Sequence, residues 1–168
     1  MNPAVWVARH AMSRPDAPAV AEGERVHATW QEFAAKVAAL AGGLREMHGL
    51  EPGDRVAIVM SNRPEYLEAK FAAWHGGMVA VPVNARLHRD EIAYILEHSG
   101  ARVAVVDDEH ASDVQSLVGV VASLRAVIVA PGPDWTRLAG ASRVAIEERR
   151  PEDAAWLFYT SGTTGKPK

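Results

Sequence analysis

Four short runs are apolar at every position: Val56-Ala57-Ile58-Val59-Met60, Met78 to Val83, Val103-Ala104-Val105-Val106 and Ala126-Val127-Ile128-Val129. A strand with one wet face alternates apolar and polar residues, whereas a strand apolar on both parities is covered on both faces. The segments between these runs carry apolar residues every three or four positions, so helices are the expected cover. Strands alternating with helices at this spacing imply right-handed crossovers and a largely parallel sheet. The fold class is therefore α/β.

The first long helix has explicit boundaries. Thr29-Trp30-Gln31-Glu32 has the spacing of a capping box, and Gly49 stands where a left-handed cap would end the helix. Between them Trp30, Phe33, Val37, Leu40, Leu44 and Met47 form one stripe. Pro52-Gly53-Asp54 makes a turn into the first strand, and Asn62 is placed to cap a second helix closed by Gly76-Gly77. Pro82 cannot donate to a ladder and belongs at a strand end or a sheet edge. A third helix is expected over Arg89 to His98, stopped by Ser99-Gly100, and a fourth near Ser112 to Val121. Residues 130–153, with Pro131, Gly132, Pro133, Gly140 and Pro151, have the composition of a loop. Ala155 to Tyr159 is expected to be one more buried strand.

Several classes of function are disfavoured by composition. A formal charge of −3 with both signs interspersed gives no footprint for nucleic acid. The chain has no cysteine, which removes disulfides, thiolate catalysis and Cys-based zinc sites and fits a cytoplasmic setting. The N-terminus lacks a basic region and a small-residue cleavage site, and no apolar window reaches the length of a membrane span. The seven histidines show no H-x-H or H-E-x-x-H spacing and read as surface or helix-end residues, with His48 and His98 near helix C-termini. Asp107-Asp108-Glu109 follows a strand, where a metal or ribose contact is conceivable, but acidic residues at a helix start explain it better.

The last nine residues, Thr160-Ser161-Gly162-Thr163-Thr164-Gly165-Lys166-Pro167-Lys168, hold four hydroxyls, two glycines and two of the chain's four lysines. Glycines let backbone amides turn onto an anion, hydroxyls donate to phosphate oxygens, and lysine adds a mobile charge. The competing reading is a solvated linker, but linkers rarely follow directly on a Trp-Leu-Phe-Tyr strand. The nucleoside-triphosphatase P-loop needs four residues between its glycines and a hydroxyl residue after the lysine, and neither is present. Neither G-x-G-x-x-G nor G-x-S-x-G occurs.

Tyr159 to Lys168 resembles the phosphate loop of the adenylate-forming ligases, a group that includes acyl-CoA synthetases, luciferases and peptide-synthetase adenylation domains. The match holds at every fixed position of Tyr-Thr-Ser-Gly-Thr-Thr-Gly-x-Pro-Lys. Upstream, Ala28-Thr29-Trp30-Gln31-Glu32-Phe33 and Trp74 to Asn84 also resemble segments of that family, so the likeness runs in order from about Ala17 to Lys168.

The resemblance implies a two-step reaction in the intact parent. A carboxylic acid, fatty or aryl, attacks the α-phosphate of ATP to give an acyl-adenylate, and coenzyme A then displaces AMP. By the same resemblance Thr160, Ser161, Gly162, Thr163, Thr164, Gly165, Lys166 and Lys168 bind the phosphates. Thr160 is a candidate ligand for magnesium. The resemblance further implies that residues 1–168 are the N-terminal part of the large domain, cut short by truncation or proteolysis. The aromatic-Gly-x-Thr-Glu motif, the ribose-binding aspartate and the C-terminal lid domain with its lysine would lie beyond it. No catalytic residue is then expected within the chain, the chain alone is expected to be inactive, and the rest of the protein is its expected partner. A non-catalytic scaffold and an amino-acid-activating adenylation domain are the alternatives.

Overall fold

The structure, a computed structural model, describes residues 1–160. In chain order the elements are α1 (Val5–Ser13), β1 (Pro18–Glu22), β2 (Arg25–Thr29), α2 (Trp30–His48), β3 (Arg55–Val59), α3 (Pro64–His75), β4 (Val79–Val83), α4 (Arg89–Ser99), β5 (Ala101–Val106), α5 (Asp108–Gln115), β6 (Ala126–Val129) and α6 (Pro133–Ala139). The strands β4-β3-β5-β6 form one sheet in that spatial order, and all of its pairings are parallel.

The doubly apolar runs are explained by what lies on each face. Val56, Ile58 and Met60 point into a core with Leu40 and Leu44 of α2, Ala72 and Ala73 of α3, and Trp135 and Leu138 of α6. Ala57 and Val59, one residue out of phase, point the other way onto Ile92, Ile95 and Leu96 of α4 and Val114 of α5. The sheet is thus a middle layer between two helical layers, with apolar side chains packed on both of its faces.

The α2 helix starts as expected. Thr29 N donates to Glu32 Oε2 at 2.8 Å and Glu32 N donates to Thr29 Oγ1 at 3.3 Å, while Gly49 closes the helix at φ 61°. Its buried surface is wider than one stripe. Ala38, Ala39, Ala41, Gly42 and Gly43 are covered as well, because α6 and the segment after it lie against a second side of the helix. Met47 of the expected stripe is exposed.

The structure differs from the sequence expectations at five places. The first is α1 with the β1–β2 hairpin, where no element is predicted. They pack Val7, Val20 and Ala28 against Phe33 and Val37. Glu68 of α3 is fully buried beneath this unit, where its Oε1 accepts from Lys36 Nζ at 2.8 Å and lies 3.0 Å from His27 Nε2. One carboxylate thereby ties β2, α2 and α3.

Next, α3 is preceded by Arg63 in extended conformation rather than capped by Asn62, because Pro64 at its first position has no N–H to satisfy. Third, α5 begins at Asp108 and not near Ser112, since Asp107 accepts the His110 amide as its cap. Fourth, the supposed loop holds α6, with proline at its start, glycine after its end and Trp135 and Leu138 buried three residues apart.

Finally, Ala155 to Tyr159 is not a fully buried strand. Ala155, Leu157 and Tyr159 are half-buried, while Trp156 and Phe158 are exposed. The segment joins β4 through one parallel bridge: Ala80 N donates to the Ala155 carbonyl and Leu157 N to the Ala80 carbonyl, each at 3.0 Å. The N–H that would donate the next rung belongs to position 82, and Pro82 has none. Pro82 does sit on an edge strand of the four-stranded sheet, as proline requires.

The close approach of α2 to the chain after α6 depends on Gly42. A Cβ there would lie 2.0 Å from the Ser142 carbonyl oxygen. Alanine gains about 1 kcal/mol of helix propensity over glycine, but overpacking against fixed backbone costs about 1–3 kcal/mol. Gly42→Ala is expected to destabilise the fold by a net of up to about 2 kcal/mol, read as a lower urea midpoint with an unchanged m-value. An unchanged or raised midpoint would show that the segment yields freely.

Candidate functional site

In open parallel sheets, ligand-binding clefts form outside the carboxyl ends of the strands. Here a cleft of about 630 Å³ opens at the ends of β3 and β4, lined by Ser61, Asn62, Tyr66, Asn84, Arg86 and His110 among others. Its walls are the loops that leave the sheet toward opposite helical layers, so their positions are set by the core below them.

One buried pair fixes three of those loops. Asp107, at the end of β5, accepts from Ser61 N at 2.9 Å and Ser61 Oγ at 3.2 Å, which ties it to the end of β3. The same carboxylate meets His110 Nδ1, and His110 Nε2 reaches the Ala85 carbonyl at 2.7 Å, beyond the end of β4. Both ring nitrogens therefore face acceptors. A neutral imidazole has only one N–H, so this geometry calls for the doubly protonated ring. Burial opposes that charge, but the hydrogen bonds to Asp107 and Ala85 outweigh it and hold His110 above the ordinary histidine value. Burial likewise pushes Asp107 up, and the bonds from His110 and Ser61 overcome it, leaving the carboxyl below the usual range.

Nothing in the sequence spacing marked His110 for this role. Its one signal was a histidine three residues after an aspartate at a strand end, the reach of a helix cap. His75 is a helix-end residue, the last of α3, but it is buried rather than on the surface, with Nε2 2.8 Å from the Val144 carbonyl. Burial lowers its pKa, and the Val144 contact offsets part of that. His98 does lie near the end of α4, where Nδ1 is 2.8 Å from the Tyr159 hydroxyl.

Of the expected phosphate-binding residues, Thr160 is the only one described, and it is exposed. Ser161, Gly162, Thr163, Thr164, Gly165, Lys166 and Lys168 lie outside the described residues. What is described is their approach: the segment before them is registered to β4 at Ala80 and packs Leu157 and Tyr159 on the α4 side of the sheet. Among the described residues no three His, Asp or Glu side chains converge to hold a metal ion. No helix among them is long and apolar enough to cross a membrane.

The sequence pattern of the AMP-binding enzyme family matches residues 7–168. The chain belongs to that family. Feruloyl-CoA synthase from an Amycolatopsis species is 38% identical over 169 residues, covering 97% of this chain and 31% of the relative. The long-chain-fatty-acid–CoA ligase FadD15 of Mycobacterium bovis is 35% identical over 182 residues, with 99% of this chain and 30% of the relative covered. Among solved structures, the N-terminal domain of FACL13 from Mycobacterium tuberculosis superposes with a TM-score of 0.86 at 27% identity, over 96% of this chain and 42% of that one. The chain thus spans about a third of the length of these curated relatives. Within the AMP-binding fold, the sheet with its two helical layers is the shared scaffold, and the relatives include ligases for both aryl and fatty acids.

The Asp107–His110 pair makes stability depend on pH. His110, raised when folded, contributes fully below about pH 6.5 and loses its contribution as pH rises through its elevated value. Asp107, lowered when folded, contributes above about pH 4 and loses it as pH falls through its depressed value. The stability gap between wild type and His110→Gln is therefore expected to be widest between those limits and to shrink as pH rises through the elevated His110 value. Urea unfolding of both proteins across that range measures it, and a gap that grows with pH contradicts the assignment.

Proposed function

We propose that this chain is the nucleotide-facing N-terminal part of an AMP-forming acid–CoA ligase. The observation that carries the proposal is the phosphate-loop sequence at residues 160–168, which falls inside the region matched by the AMP-binding family. The substrate class follows the relatives: an aryl acid, as the name feruloyl-CoA synthase says of that enzyme, or a fatty acid, as the name FadD15 ligase says of its own.

In this reading the acid's carboxylate attacks the α-phosphate of ATP, the bond to the β-phosphate breaks, and pyrophosphate leaves. Charge builds on that leaving group, and Lys166, Lys168, the loop hydroxyls and the amides of Gly162 and Gly165 are the groups of suitable chemistry to stabilise it. Magnesium, which takes oxygen ligands and keeps several waters, would neutralise phosphate charge there, and the Thr160 hydroxyl is its proposed protein ligand. Coenzyme A thiol then attacks the acyl carbonyl and AMP departs. The adenine, ribose and lid functions are assigned to the remainder of the protein, which is the proposed partner of this part, and the setting is cytoplasmic. Taken alone, residues 1–168 supply a phosphate grip and no group to drive the second step, so the isolated chain is proposed to be inactive.

Carboxylate-dependent exchange of labelled pyrophosphate into ATP by the full-length parent, across aryl and fatty acids, tests the reaction class. Lys166→Ala in that parent is expected to lower exchange by about 10²-fold, the usual effect of removing one donor to a developing anion. An undiminished rate would remove the loop from the chemistry. For the isolated chain the expected result is no thioester from ATP, acid and coenzyme A, and any turnover overturns its proposed inactivity.

A further inference from the structure

The two lysines among the described residues sit in opposite surroundings. Lys36 is paired with the buried Glu68 carboxylate at 2.8 Å. Lys70 has no carboxylate within ion-pair distance among the described residues; its Nζ instead lies over aromatic rings, 4.3 Å from the Trp156 centroid, 5.0 Å from Trp74 and 6.0 Å from Tyr66. Helix geometry produces this placement. Tyr66, Lys70 and Trp74 are four residues apart and share one face of α3. The third ring arrives because Trp74 Nε1 donates to the Ala155 carbonyl at 2.8 Å, which holds Trp156 against it with centroids 4.8 Å apart. Phe158 extends the array, 4.9 Å from Trp156, and both Trp156 and Phe158 are exposed.

We propose that Lys70 is an acyl-acceptor site, modified on its amine by aryl thioesters whose ring lands on the exposed Trp156 and Phe158. Two features support it. The amine is half-buried with no carboxylate beside it among the described residues, and loss of water there lowers the pKa of Lys70 against the pull of the rings on the cation, enlarging the reactive neutral fraction. Trp156 and Phe158 present flat apolar surface beside the amine, which raises the local concentration of an aromatic acyl group by offset or edge stacking. Lys36 lacks both: its charge is held by Glu68, and among the described residues its amine lies over no ring. In the reaction the neutral Lys70 amine attacks the thioester carbonyl, the carbon–nitrogen bond forms, the carbon–sulfur bond breaks, and coenzyme A leaves as the thiol after taking up the amine's proton. The product is an amide with no charge to hold over the rings, so modification also releases the cation–π contact to Trp156.

The inference rests on the proposed function only for the source of the thioester, so the test supplies it ready-made. The chain is incubated with benzoyl-CoA, and the four lysines are followed by peptide mass spectrometry. Lys70 is expected to acquire the benzoyl group roughly tenfold faster than Lys36, a difference of about 1.4 kcal/mol in barrier. Trp156→Ala is expected to remove most of that advantage, with circular dichroism confirming that the fold persists. Should that variant unfold, acetyl-CoA serves in its place, since a donor without a ring is expected to show a smaller preference for Lys70. Benzoylation of Lys70 no faster than of Lys36, or an undiminished preference with acetyl-CoA, overturns the proposal and leaves the ligase reading untouched.

Discussion

The whole arrangement depends on a sheet that must be dry on both sides. Val56, Ile58 and Met60 demand one helical layer, and Ala57 and Val59, interleaved with them, demand another. Parallel strands cannot be joined by tight turns, so each connection must cross a face, and a helix is the structure that covers apolar side chains as it crosses. Chain order follows from this: α3, α2 and α6 go to one side, α4 and α5 to the other. The same demand sends every strand's exit loop to one edge, where loops bound for opposite layers part and leave a cleft.

A cleft made by diverging loops needs something to hold its rim, and the protonated His110 with Asp107 does so. Their bonds reach Ser61 after β3 and Ala85 after β4, from a helix start that follows β5. A charged pair this buried gains through fixed geometry and satisfied hydrogen bonds more than through net attraction. Its use here is positional: three loops that belong to different crossovers are referred to one point. Glu68 does the corresponding work on the far side of α2 and α3, where it binds the N-terminal hairpin to the body through Lys36 and His27.

The central sheet, α2 and α4 were legible because their signals are local. Double-parity apolar runs, the Thr29–Glu32 box and the glycines at 49 and 100 each act within a few residues, and the structure keeps them all. The hairpin was not legible, since Arg25, Val26 and His27 are exposed and carry no buried alternation. The α6 helix was hidden by composition: Pro133 and Gly140 resemble loop punctuation, and only the tertiary fit of Trp135 and Leu138 against α2 makes them boundaries. His110 was invisible for a different reason. Its importance comes from Ser61 and Ala85, distant in sequence, and no periodicity records such a meeting. The phosphate-loop motif was the opposite case, clear in the sequence while all of it beyond Thr160 lies outside the described residues.

The lone rung between Ala80 and the segment ahead of Thr160 has an architectural corollary. Two hydrogen bonds hold it, and Pro82 forbids the donor that would extend it. Swapping such bonds for bonds to water costs about 1–3 kcal/mol in total, against the far larger loss of peeling away a fully laddered strand. The proline thus works as a stop on a zipper: it limits the backbone fastening of this stretch to one rung, and leaves the rest of its hold to side chains, the Trp74 Nε1 bond to the Ala155 carbonyl and the packing of Leu157 and Tyr159.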